Sequence, residues 1–161
     1  MAFPSLLQAG VIVEAIPPAT DAAGRASDWI SLKNVAGKAY IVVQIAQGNA
    51  ATVTITPQQA TNVAGASAKA IPAVPIWSNL DTAAAETMVR RTDAANYTTD
   101  AALANKIVVF EIEPSVLDVE NGFDCINFTT GASNVANITA GLFVLPYMRF
   151  GGATAQAVTT N

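Results

Sequence analysis

The chain contains no histidine and a single cysteine, Cys125. Without imidazole there is no Ser-His-Asp triad, no Cys-His dyad and no histidine-ligated metal, which removes most hydrolases and any cupin-like centre. One thiol forms no intrachain disulfide and cannot build a site from several thiolates. Charge is scarce too: Asp, Glu, Lys and Arg make up 12% of the residues, about half the usual ~25%. With 8 basic residues and a formal net charge of -4, no basic patch is available to neutralise phosphates, so direct nucleic-acid binding is not expected. No apolar run approaches the ~20 residues that span a bilayer. The opening MAFPSLLQAGVIVEAIPP has no Lys or Arg before its apolar part and is broken by Pro4, Gln8, Gly10 and Glu14, unlike the usual secretory signal. No membrane contact is expected.

What is present is apolar and small. Hydrophobic residues form 52% of the chain, a figure inflated by 32 alanines. At 161 residues the chain has the size of one domain, which buries roughly 70% of its unfolded surface and needs no covalent staple. A soluble monomer normally interleaves many charges over its surface, so this low count predicts that part of the surface is covered by copies of the chain or by another protein.

The strongest strand signal lies between Asn105 and Thr130. It comprises the β-branched run Ile107 to Phe110, the alternating Glu111-Ile112-Glu113, the turn pair Asn121-Gly122, and then Phe123 to Phe128. Two strands facing one core are predicted there. Earlier strands are expected over Val11 to Ile16 (closed by Pro17-Pro18), around Trp29 to Leu32, over Tyr40 to Ala46, and over Thr52 to Thr56 (closed by Pro57). Ile76 to Ser78 is read as an edge strand or connection beside Pro75, Glu86 to Thr92 as a strand, and Tyr97 to Thr99 as extended or loop. Asp81 to Ala85 suits a capped helical turn. A last strand is predicted within Asn137 to Phe150, with Gly141 marking a bulge or close approach and Pro146 placing its far half at a sheet edge. Eight to ten short strands with turns every eight to twelve residues predict an all-β, single-domain sandwich, jelly-roll-like by preference. Residues 1–10 are expected to be an arm or first strand, 11–150 the sandwich, and 151–161 a tail.

No motif carries chemistry. Gly37-Lys38 lacks the glycine a phosphate loop requires five residues earlier, where Leu32 stands, and leads into a strand. Glu111 and Glu113 share a strand face and would suit an acid/base pair, but an outward polar face is the preferred reading. Asp118, Glu120 and Asp124 crowd one loop without the spacing of a calcium loop. Cys125 falls inside a strand, as a buried small hydrophobe would. Asn96, Asn127 and Asn137 each begin an N-x-[ST] triplet, two of them within expected strands. Trp29, Trp77 and Tyr97 would form a sugar-stacking platform if they converged; core or interface packing is the competing reading. No catalytic group, metal site or cofactor is predicted.

Four segments together carry a resemblance: SDWISLKN (Ser27 to Asn34), ATVTITPQQATNVAGASAKAI (Ala51 to Ile71), DVENGFDCINF (Asp118 to Phe128) and FVLPYMRF (Phe143 to Phe150). They resemble small virion structural proteins of tailed bacteriophages, of the head decoration or cement type. The resemblance spans most of residues 27–150. It implies a β-sandwich without an active site, located on the outer surface of the phage head, which clamps neighbouring major capsid proteins and self-associates as a dimer or trimer. Phe3, Leu6, Leu7, Trp29, Trp77, Tyr147 and Phe150 are the expected partner-contact residues. Another virion part, such as a tail or head-to-tail component, and a carbohydrate-binding module are the alternatives.

Overall fold

From Ala39 to Gln47 and from Lys106 to Ile112 every second residue is buried, the two-residue period of strands with one face on a core. The computed structural model describes residues 5–149. Its elements are α1 (Leu6–Ala9), β1 (Val11–Thr20), β2 (Arg25–Ala26), β3 (Ile30–Ser31), β4 (Ala39–Gln47), β5 (Thr54–Ala60) and β6 (Lys69–Ala70). They continue with β7 (Val74–Asn79), β8 (Val89–Ala94), β9 (Tyr97–Thr98), β10 (Asn105–Ile112), β11 (Cys125–Thr130) and β12 (Asn137–Leu145).

Two antiparallel sheets result. One has the order β1-β12-β4-β10-β7-β8; the other has the order β2-β11-β5-β6, with β3 also on β11 and β9 also on β5. If β2 and β3 count as one interrupted strand, the pairs are β1 with β12, β2/β3 with β11, β4 with β10 and β5 with β9. This first-with-last nesting is the jelly roll. The segment between β5 and β9 is an insertion that adds β6 to the smaller sheet and the β7–β8 pair to the larger one.

The core lies between the sheets. Ile41, Val43 and Ile45 of β4, Val108, Phe110 and Ile112 of β10, Ile126 and Phe128 of β11, and Phe143 and Leu145 of β12 are all fully buried. Phe128 and Phe143 meet edge to face across the sheets at 6.1 Å and 71°. Gly141 makes this possible, because a Cβ there would come within 2.4 Å of Phe128 Cζ. The close approach read from the sequence is therefore present, and the strand opposite Gly141 is irregular as well, with a register shift in β1 between Glu14 and Ile16.

Several boundaries differ from expectation, most of them at prolines. β1 runs through Pro17-Pro18, which fall in a second register shift of a sheet-edge strand where no ladder bond is needed. β5 runs through Pro57: its neighbour Phe128 turns its backbone the other way, its carbonyl accepting from Ser27 N and its N–H donating to Ser27 Oγ. The missing N–H of Pro57 thus faces the gap between β9 and β6. β7 lies between β10 and β8 instead of at an edge, with Pro75 in a register shift beyond its pairing with β10. Pro146 does not sit in an edge strand; it follows the end of β12, which lies between β1 and β4. At the N-terminus, within the segment expected as an arm or first strand, residues 6–9 form one helical turn, with a capping box in which Ser5 Oγ accepts from Gln8 N and Ser5 N donates to Gln8 Oε1. Asp81 caps the 81–85 turn as expected, accepting from Ala83 N and Ala84 N. The pair expected around Asn121-Gly122 proves to be β10 and β11, which lie in opposite sheets and face each other across the core. Gly122, at φ 80°, ends a 3-10 turn between them.

Candidate functional site

The exposed face of the larger sheet is built by the other phase of the same strands. One register row crosses all six: Glu14 of β1, Leu142 of β12, Val42 of β4, Val109 of β10, Trp77 of β7 and Arg90 of β8. Beside it run Ile12, Val144, Tyr40 and Glu111 on one side and Ala140, Gln44 and Ile107 on the other. Ile12, Ile138 and Leu142 are each more than 40% exposed. A shallow depression of about 340 Å³ lies over Val42, Ile107, Ala140 and Leu142, with Glu14 and Gln44 also lining it. Four consecutive strands thus present aliphatic or aromatic side chains to solvent, and charge is confined to the margins or neutralised.

Glu111 is the charge nearest the middle of this face, and it is fully engaged. Its carboxylate accepts from Lys38 Nζ at 2.7 Å and from Trp77 Nε1 at 2.8 Å. The Lys38 ammonium is held above its usual pKa mainly by that hydrogen bond. Glu113 lies one residue beyond β10, exposed, 3.9 Å from the same Lys38. The structure therefore brings the two glutamates together around one lysine, an arrangement of an ion-paired strand end and not of an acid facing a base.

The other residues singled out in the sequence separate. Among the acids of the 118–124 loop, Asp118 pairs with Lys69 at 2.5 Å and accepts from Asn121, while Asp124 pairs with Lys33 at 3.0 Å. No group of three or more His, Cys, Asp or Glu is placed to hold a metal ion among the described residues. Cys125 is buried and its Sγ lies 3.0 Å from Asp124 Oδ1; burial, reinforced by that carboxylate, pushes its thiol up to about 12. Asn127 and Asn137 are buried in strands and Asn96 is exposed. The three aromatics do not share one exposed face: Trp77 lies on the outer sheet face, Tyr97 packs on the core, and Trp29 packs against Gly65. Leu6 and Leu7 are exposed on α1, close in the fold to exposed Tyr147, since Met148 N donates to Ala9 O. Phe3 and Phe150 lie outside the described residues.

Sequence reasoning missed the polar end of the sandwich. There Lys106, with no side-chain exposure, donates to Gln47 Oε1 (2.9 Å), Asp100 O (3.0 Å) and Asp100 Oδ1 (2.5 Å). Lys106 shares the inward phase of Val108, Phe110 and Ile112, the one signal that would have found it. Its hydrogen bond holds the Asp100 carboxyl below the usual range. Thr99 Oγ1 donates to Gln47 Oε1 and accepts from Val53 N; Asn137 accepts from Asn49 N and donates to Ala51 O. Asp21, fully buried, accepts from Thr130 Oγ1 at 2.5 Å while its Oδ2 has no partner among the described residues, and burial raises its pKa. These bonds tie the loops after β1, β4, β9 and β11 to one another. On them stand Leu103 and Val135, each 66% exposed.

No family profile and no curated protein matches the sequence. Among solved structures, the chain is similar to the SPBc2 prophage-derived protein YomS, with 10% sequence identity, 84% of this chain and 91% of that chain covered, and a TM-score of 0.46.

Proposed function

We propose that the chain is a structural protein of a tailed-phage virion, of the decoration type, which binds the outside of the assembled head, clamps neighbouring major capsid proteins and catalyses no reaction. The observation that carries this reading is the outer face of the six-stranded sheet, apolar over four strands in a chain with few charges. Scattered apolar side chains are ordinary on a monomer, whereas a contiguous field of them marks an interface. The sequence resemblance to head decoration proteins supplies the partner. Two smaller exposed clusters, Leu6, Leu7 and Tyr147 at one end and Leu103 and Val135 at the other, give further contacts from which neighbouring subunits are bridged.

A ligand that binds only the assembled lattice stabilises it by linkage, by about 2.7 kcal/mol per site at a hundred times its dissociation constant. The test adds purified protein to expanded heads that lack it and measures bound copies together with survival on heating. Saturable binding with raised heat resistance is expected. Heads that take up no protein, or take it up without any gain in resistance, contradict the proposal.

A further inference from the structure

We propose that the outer face of the six-stranded sheet is the contact surface of a two-fold dimer of this chain, with the symmetry axis parallel to the strands. The inference rests on reading that face as adhesive and commits it to one occupant, a second copy, which leaves the two smaller exposed clusters, Leu6, Leu7 and Tyr147 at one end and Leu103 and Val135 at the other, to contact the head.

Three observations lead there. First, β4, β10 and β12 contain unbroken apolar runs: Tyr40 to Val43, Ile107 to Phe110 and Leu142 to Leu145. Strands buried on one face alternate; strands buried on both faces read as continuous runs. The second face of these strands has no cover within the described chain.

Second, the central row is complementary to itself. Across the sheet it reads Glu14, Leu142, Val42, Val109, Trp77, Arg90: anion, four apolar groups, cation. A two-fold contact places one patch on its own copy. Rotation about an axis along the strands, between Val42 and Val109, lays β1 of one copy over β8 of the other at the same level. Each Glu14 then meets the partner's Arg90, and the apolar groups meet each other. An axis across the strands would set Arg90 against Arg90 and Glu14 against Glu14, so charge selects the orientation. Both end groups are exposed, and the Arg90 guanidinium, which pairs with Asp93 of its own chain, lies over the outer face, 5.8 Å from the Trp77 ring centre, so the partner's Glu14 would join an existing ion pair. Sheets pack about 10 Å apart, a gap that glutamate and arginine side chains bridge together.

Third, the area suffices. Six strands at about 4.8 Å spacing and the residues Ile138 to Val144 along them define roughly 500 Å² of face per copy. The pair covers about 1,000 Å², the threshold for a specific contact, and the aligned stacking of two twisted sheets is an ordinary geometry.

The test uses the full chain in sedimentation velocity, with tryptophan emission as a second readout because Trp77 becomes covered. The wild type is expected to sediment as a dimer. Glu14→Arg and Arg90→Glu should each raise the dissociation constant at least about tenfold, since symmetry makes every lost ion pair count twice. The double variant Glu14→Arg/Arg90→Glu should restore the dimer, and circular dichroism checks that each variant is folded. A wild-type chain monomeric at concentrations on the order of 100 μM, where a dimer with a dissociation constant of about 1 μM would be assembled, overturns the proposal. So do single variants with unchanged dimerisation, or a double variant that restores nothing. A monomer whose binding to heads is abolished by Leu142→Lys overturns the dimer and retains the adhesive face. A dimer that binds no head retains the dimer and overturns the decoration role.

Discussion

Removing the Asp100 carboxylate should weaken the fold more than removing the lysine it pairs with. Lys106 has no exposed side-chain surface and makes three hydrogen bonds, the shortest, at 2.5 Å, to Asp100 Oδ1. Breaking a buried ion pair by deleting one partner costs about 3–5 kcal/mol, because the remaining charge stays buried. The Asp100 side chain is 48% exposed, so water replaces part of what is lost, and the backbone carbonyl of Asp100 and Gln47 Oε1 still accept from Lys106. For Asp100→Ala the expected cost is therefore about 2 kcal/mol, or a melting temperature lower by roughly 4–8 °C in a chain of this size. Lys106→Met removes the charge and leaves a side chain of similar volume. Gln47 keeps its bond from Thr99, and the change should be neutral within about 1 kcal/mol. The double variant should resemble Lys106→Met, giving a coupling of about 2 kcal/mol in a double-mutant cycle. Urea denaturation of the four proteins measures it. Equal losses for the two single variants, or simple additivity, would refute the reasoning.

The remaining predictions concern pH, packing and the thiol. Asp100 is held below its usual pKa by Lys106, so the stability it contributes is present above the unfolded value near 3.8 and is lost as pH falls through the lower folded value. Melting curves should show that acid loss in the wild type and a smaller one in Asp100→Ala. Asp21 has the opposite sign: burial raises its pKa, so its neutral form favours the fold and stability declines as pH rises from 3.8 through the raised value. Asp21→Asn should remove that decline and melt no lower than the wild type at pH 7, as checked by the same curves. Gly141→Ala, whose Cβ would meet Phe128 Cζ at 2.4 Å, should lose about 1–3 kcal/mol by overpacking in urea titration. Cys125, with its thiol near 12, should leave a thiol reagent unreacted at pH 8 in the native protein and consume one equivalent when unfolded.

The sandwich was legible because β4, β10 and β12 announce themselves by apolar runs of strand length, whereas the jelly roll was favoured only by the number of strands, since strand order leaves no mark on periodicity. What failed to read was local chemistry decided by partners far along the chain. Pro17, Pro18 and Pro57 looked like strand ends, yet each lies where no neighbour asks for an N–H, a fact set by sheet order. The helical turn at 6–9 depends on the Ser5–Gln8 capping box, which is visible in the sequence once a short helix is considered. Of the contact residues expected, Leu6, Leu7 and Tyr147 are exposed and Trp29 and Trp77 are half-buried. The sheet face itself went unread because it consists of Val42, Val109 and Leu142, residue types that a single sequence assigns to the core. Only the register, which places them on one row with Glu14 and Arg90, turns them into a surface.

The most direct measurement is the copy number of this chain in purified virions by quantitative mass spectrometry. A decoration protein should be present in hundreds of copies, the order expected when a shell lattice is covered. Around six to a few tens of copies would assign it to a tail or connector ring, and its absence from the particle would contradict the account.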